Sequence, residues 1–228
     1  MQSIFRRQEI KFILDTAKLQ PLYDIVAEKI PRDTYGQYLV QSIYFDTNNW
    51  DIIRSSIEKP VYKEKLRLRC YGVPGQDSTI FMELKKKFRG VVSKRRIAFP
   101  MQELIEKSAQ ELVAEDSTQI GRELSYYLQN HAVQERVHIS YEREAFAGEN
   151  GLRLTLDTNI RFRTDILDYQ NPGEGLEVLP AGLTVMEIKT LGGMPIWLAQ
   201  TLSEHKIFPH SFSKYGAGYK KYVKGGLN

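Results

Sequence analysis

Short stretches in which apolar and charged residues strictly alternate dominate the chain. In KEKLRLRCY, Lys63, Lys65, Arg67, Arg69 and Tyr71 fall on one side, and Leu66, Leu68 and Cys70 on the other. In TIFMELKKK, Thr79, Phe81, Glu83, Lys85 and Lys87 oppose Ile80, Met82 and Leu84. In GLRLTLDTN, Arg153, Thr155 and Asp157 oppose Leu152, Leu154 and Leu156; in TVMEIKT, Val185, Glu187 and Lys189 oppose Met186 and Ile188. Successive side chains of a strand point to opposite faces, so a period of two marks a strand with one apolar and one charged face. Strands are predicted at about 5–14, 37–46, 62–71, 79–88, 91–99, 136–146, 152–163 and 183–190. Helices are predicted at 16–30, 101–115, 118–130, 194–207 and 212–223. Asp15 and Thr16 open the first, Met101, Leu104, Ile105 and Leu112 share a face of the second, and Pro195 sits in the first turn of the fourth. In the last, Ser211 or Ser213 is expected to cap and Tyr215 to pack inward. Asp168–Gly182, with two prolines and three glycines, reads as a loop inserted within one domain covering residues 1–228.

Eight strands with helices at the joints predict an α+β fold, a closed antiparallel eight-stranded β-barrel with helices packed on the outside. Helices rich in Leu, Ile and Tyr need an apolar surface to dock on, and the apolar strand faces are the large candidates. The charged faces then line the interior. An interior of Lys and Arg alone is unstable, because buried like charges repel and lose solvation. An anionic ligand, water and a cation must share the space. Arg offers a planar fork for phosphate and Lys a compact charge. Glu-x-Lys recurs at Glu9/Lys11, Glu83/Lys85 and Glu187/Lys189, with Lys87 one step further on the same face. A carboxylate beside phosphates is a way to hold Mg²⁺ or Mn²⁺. The pattern therefore nominates Glu9, Glu83 and Glu187 as metal ligands and the neighbouring cations as phosphate ligands. Tyr141 and Arg143 share a face with Val137 and Ile139, which requires that apolar pair to lie at the strand's end or a bulge to intervene.

Composition narrows the function classes. A chain of 228 residues can bury a sizeable core, and 42% hydrophobic with 26% charged residues is ordinary for a globular protein. A net charge of +4 does not by itself imply nucleic acid, and the strand cations alternate with leucines rather than with stacking aromatics. The single cysteine, Cys70, excludes an intrachain disulfide and a multi-cysteine metal site, and points to a reducing, cytoplasmic compartment. No stretch approaches the roughly 20 apolar residues of a membrane span, so a membrane role calls for a membrane-protein partner. His131, His138, His205 and His210 lack metal-ligand spacing and are expected in surface or capping roles.

These segments resemble the VTC domain, the polyphosphate polymerase module of the vacuolar transporter chaperone family, within the triphosphate tunnel metalloenzymes (CYTH-like superfamily). The resemblance runs from RRQEIKF to SFSKYGAGYKKY, through SIYFDT at Ser42–Thr47, LRLRCYG, FMELKKK, SKRRIAF, ISYEREAF, LRLTLDTNI, VMEIKT and FSKYGAG. It implies that Lys11, Arg67, Arg69, Lys85, Arg143 and Lys189 act on the phosphates under reaction. Lys94, Tyr141, Arg153 and Lys214, with Lys87 from the strand pattern, would hold substrate. Glu187 matches the metal-binding glutamate. The implied reaction transfers the γ-phosphoryl of ATP onto inorganic polyphosphate with Mn²⁺ or Mg²⁺. The competing expectations on the same scaffold are a tripolyphosphatase or nucleoside triphosphatase and a non-catalytic polyphosphate-binding module. CYTH-type triphosphatases carry Glu-x-Glu-x-Lys in the first strand, where this chain reads Arg7, Glu9, Lys11.

Overall fold

A computed structural model describes residues 8–89 and 91–225 and arranges the alternating stretches in one antiparallel sheet. Its strands are β1 (Gln8–Leu14), β2 (Arg32–Asp46), β3 (Tyr62–Tyr71), β4 (Thr79–Phe88), β5 (Val91–Pro100), β6 (Gln134–Ala147), β7 (Arg153–Arg163), β8 (Leu176–Glu177) and β9 (Thr184–Thr190). Their order is β1-β9-β7-β6-β2-β3-β4-β5, with the short β8 paired to β7. Residues 5–7, including Arg7, lie outside the described residues.

The expected closed barrel is corrected to an open-seamed one. Among the described residues no hydrogen-bonded ladder joins the edge strands β1 and β5. The sheet nevertheless curls round on itself, because Glu9 of β1 reaches Lys85 of β4 at 3.6 Å. Lys85 and Lys94 lie towards one edge of the sheet and Lys11 and Lys189 towards the other.

The apolar strand faces turn outward under helices α1 (Thr16–Lys29), α3 (Met101–Glu106), α4 (Ala109–Glu115), α5 (Gln119–His131) and α6 (Ile196–Glu204), while α2 (Asp51–Ile57) and α7 (Lys214–Gly218) pack against a third cluster. Leu66, Leu68, Ile80, Met82 and Leu84 form one core with Leu112 and Val113 of α4 and Leu124 and Leu128 of α5. Phe12, Leu14, Leu154, Leu156, Met186 and Ile188 form a second with Leu22 and Val26 of α1 and Leu198 and Leu202 of α6. Burying these side chains outside the sheet, at about 25 cal/mol per Å², forces the alternate residues inward.

A third apolar cluster lies inside. Val137, Ile139, Ile160, Phe162 and Val185 meet Tyr215 and Tyr219 of the C-terminal helix there. Register shifts between Ser140 and Glu142 in the β6–β7 pairing, where Asn159 takes a left-handed φ of 51°. The shift turns Ile160 and Phe162 inward. Val137 and Ile139 lie in the first half of β6, facing this cluster, and the bulge belongs to the partner strand. A Cβ at Gly218 would stand 2.2 Å from the Phe162 ring, so only glycine lets the helix seat this closely.

Several elements depart from the predicted ones. The segment 101–115 is two helices, because Lys107 and Ser108 are extended and Ser108 starts α4 with a capping box to Glu111. Ile105 is accordingly exposed. The C-terminal helix is α7, capped by Ser213, followed by a π-helical stretch, Tyr219–Lys224. Helix α2 was not predicted. It has no side-chain cap of its own at Trp50; the carboxylate of Asp46, on β2, accepts from Ile52 N at 2.9 Å and Ile53 N at 3.0 Å instead. His138 is fully buried and hydrogen-bonded to Gln41 at 3.0 Å, not at the surface.

Candidate functional site

Strand pairing puts the charged residues opposite one another on the inner face. Glu83 faces Arg67 of β3 and Arg96 of β5, Ser42 faces Arg69, Arg143 faces Asp157, and Lys11 faces Glu187. Three ionic centres result.

In the first, the Glu83 carboxylate is fully buried. It accepts from Arg67 Nε at 2.9 Å and Nη2 at 2.7 Å, from Lys94 at 3.0 Å and from Arg96 Nε at 2.7 Å. Burial alone raises its pKa, but Arg67, Arg69 and Lys94 outweigh that and hold it well below the usual carboxylate range. With both oxygens taken by cations, Glu83 is placed as an anchor for Arg67. Arg67 also donates to the Tyr44 hydroxyl at 2.9 Å. Burial raises the Tyr44 phenol, and Arg67, Arg69 and Lys65 bring it down to about 7.

The second centre is Asp157, fully buried between Arg143, at 2.6 and 2.8 Å, and Lys214, at 2.5 Å. Lys214 opens α7 and lies 4.3 Å from the centroid of the Tyr141 ring. This pair ties the C-terminal helix to the sheet.

The third brings together Glu9, Lys11, Lys85, Glu187 and Lys189. Lys189 meets Glu187 at 2.5 Å, Lys11 meets Glu9 at 3.3 Å, and Lys11 also donates to the Phe212 carbonyl at 3.2 Å. Burial raises the Glu187 carboxyl, and Lys189, Lys11 and Lys214 override it and keep it ionised. Glu9 is lowered too, though burial and Glu187 both oppose this. Two charged carboxylates that repel each other on one face are a donor set for a hard cation. Thr155, opposite Glu187 in register, has a buried hydroxyl with no partner. Among the described residues no cluster of three His, Cys, Asp or Glu exists. The chemistry therefore fits a cation held by Glu9 and Glu187 and completed by phosphate oxygens and water, not an all-protein cage.

On the inner face of β3, Arg69 and Lys65 have no carboxylate partner among the described residues, nor does Lys63, which donates to the Ser56 carbonyl at 3.1 Å. Arg69, only 7% exposed, donates to the Ser42 hydroxyl at 3.1 Å and the Tyr141 hydroxyl at 3.2 Å. Lys65 reaches the Ser213 hydroxyl at 3.4 Å. Burial, with Lys63, Lys11 and Lys85 nearby, pushes its pKa down to about 8, against the opposing pull of Tyr44. Lys65, Arg96 and Tyr44 were not nominated from sequence. Alternation placed Lys65 on the right face, but only register shows which cations of that face converge. Of the nominated residues, Lys87 lies exposed near the end of the β3–β4 hairpin, opposite Lys63. Arg153 is engaged by Asp33 at 2.9 Å and the Tyr38 hydroxyl at 3.3 Å. The remaining nominated cations converge on the inner face.

The geometry is that of a curled antiparallel sheet with cations inside and helices over its apolar outside. The chain belongs to the VTC domain family, whose model matches residues 6–223. It is 25% identical over 214 residues to vacuolar transporter chaperone complex subunit 4 of Schizosaccharomyces pombe, an alignment covering 74% of this chain and 29% of that protein. The chain thus spans under a third of that relative. Similar solved structures include a candidate adenylyl cyclase from Hippeastrum described as having a dominant triphosphatase activity (TM-score 0.55, 18% identity, 93% of this chain and 94% of that one). A protein from Pyrococcus horikoshii OT3 is similar over 97% and 99% of the two chains (TM-score 0.53, 17% identity). At these identities the likeness is one of fold.

Proposed function

We propose that the chain carries out metal-dependent phosphoryl transfer on a triphosphate, and that its reaction is synthesis of inorganic polyphosphate from the γ-phosphate of ATP. The observation that carries this reading is Arg69, a buried guanidinium whose partners are hydroxyls. A buried cation without a counterion is costly, and a bound polyanion removes the cost. Around it, Lys11, Lys65, Arg67, Lys85, Arg143, Lys189 and Lys214 outnumber the inward carboxylates Glu9, Glu83, Asp157 and Glu187.

Phosphoryl transfer asks a protein mainly for positioning and for neutralisation of charge on the transferring group. Arg67, Arg69 and Arg143 present fixed forks, held in place by Glu83, Ser42 and Asp157. Lys11, Lys85 and Lys189 add mobile point charges. Glu187 and Glu9 would hold a divalent cation, which would supply neutralisation of charge on the phosphates. The four inward carboxylates are all shifted down, each against the upward pull of its own burial, so none is poised to take a proton from water. An acceptor that is already anionic, a phosphate chain, needs no such base, which is compatible with polymer synthesis.

The test is to incubate the purified chain with ATP and Mn²⁺ and resolve the products on a gel stained for polyanions. A ladder of long anionic product is expected. Orthophosphate alone would instead assign a hydrolase. Tight tripolyphosphate binding with no turnover in any divalent cation would assign a binding module.

A further inference from the structure

We propose that one mouth of the trough is a stacking shelf for the base of a nucleoside triphosphate. The shelf is the aromatic series Tyr35, Tyr38, Tyr71 and Phe81, and the proposal rests on the triphosphate reading above.

Consecutive ring centroids lie 6.1, 5.9 and 6.0 Å apart, at interplanar angles of 73°, 67° and 68°. Arg96 ends the series, with its guanidinium carbon 4.1 Å from the centroid of Phe81. Three strands contribute, and all but Tyr35 come from charged-face positions. Tyr38 pairs with Arg143 in register, Phe81 pairs with Arg69, and Tyr71 follows Arg69 two residues on. Same-face residues on a strand are about 6.6 Å apart, so Tyr38 and Phe81 lie level with Arg143 and Arg69 and Tyr71 lies one step beyond. Tyr38 also accepts from Arg153 at 3.3 Å.

The opposite end offers no such place. Phe162, Tyr215 and Tyr219 fill it, all buried. The nucleoside of a triphosphate whose phosphates lie against Arg67, Arg69 and Arg143 is therefore directed towards the aromatic end.

Exposure argues against rings that merely pack on one another. Tyr35 is 78% and Tyr71 42% exposed. Rings meeting edge to face leave flat faces open, and a nucleobase covers such a face by stacking. Base–aromatic stacking is sequence-tolerant because every base has a π-face. The shelf should accept purine nucleotides with little preference among them.

The test compares dissociation constants for a non-hydrolysable ATP analogue and for inorganic tripolyphosphate, both with Mg²⁺, by calorimetry. Tyr71→Ala should weaken nucleotide binding roughly tenfold, as expected for loss of one stacking partner, and leave tripolyphosphate within twofold. Tyr71→Phe, which keeps the ring, should restore nucleotide binding. Tyr35→Ala, at an exposed position, repeats the test with little risk to folding. Equal losses for both ligands, or no loss for either, would overturn the shelf while leaving the trough intact. Failure of the wild-type chain to bind tripolyphosphate would overturn the trough reading and the shelf with it.

Discussion

Replacing Glu83 by Gln tests the inverted arrangement most directly, because it removes one charge and almost no volume. The carboxylate is fully buried and holds Arg67, Lys94 and Arg96. Breaking a buried ion pair by removing one partner costs about 3–5 kcal/mol. Lys94 and Arg96, with side chains 44% and 33% exposed, can turn to water, whereas Arg67 at 18% is more confined. The low end, about 3 kcal/mol, is therefore expected. At roughly 2–4 °C per kcal/mol for a chain of this size, Tm falls by about 6–12 °C. Thermal unfolding followed by circular dichroism at neutral pH and low salt measures it. The acid limb gives a second readout. The folded Glu83 pKa is depressed, so its contribution is present above the unfolded value near 4.5 and is lost as pH falls below that. The Gln variant should lack this part of the acid dependence. A Tm within about 2 °C of the parent would refute the reasoning, since it would mean that three cations converge on this point at no cost.

Glu187→Gln should abolish turnover with ATP and Mn²⁺ while triphosphate binding, read by calorimetry, stays largely intact; unchanged turnover would remove the metal role. Arg69→Ala should weaken tripolyphosphate at least tenfold, because a charge-assisted contact is worth about 1.5–3 kcal/mol. Tripolyphosphate affinity should fall as pH rises from about 6.5 to 9. Tyr44 gains negative charge through about 7 and Lys65 loses positive charge through about 8, both against the ligand. Lys65→Met should flatten the upper part of that profile. Tripolyphosphate itself should raise Tm in proportion to the logarithm of its concentration over Kd, most at low salt.

Strand alternation carried most of the fold. Leu66, Leu68, Ile80, Met82 and Leu84 had to be buried together, and that fixed the face given to Arg67, Arg69 and Glu83. Register and seam were not legible, because each depends on partners remote in sequence. Glu-x-Lys marked Glu83 as it marked Glu187. The cations that surround Glu83 are its opposite numbers on β3 and β5, visible only once those strands pair. Asp157 meets Lys214 across 57 residues, through docking of the C-terminal helix. Helix α2 is capped by Thr47 and Asp46, four to seven residues back at the end of β2, and the strand pattern running into them hid that signal. The break at Ser108 did have a local signal, Ser-x-x-Glu, which a continuous apolar stripe through Leu104 and Leu112 obscured.

Placing grease outside and charge inside the same strands has a practical consequence for anyone altering this chain. Residue parity along β3 and β4 separates two kinds of damage. Truncation at Leu66, Leu68, Met82 or Leu84 opens a void beneath a helix, a loss that ionic strength leaves untouched. Substitution at Lys65, Arg67, Glu83 or Lys85 shifts an electrostatic balance that dissolved salt can partly reset. A melting curve taken at two salt concentrations thus tells which side of the pleat a mutation struck.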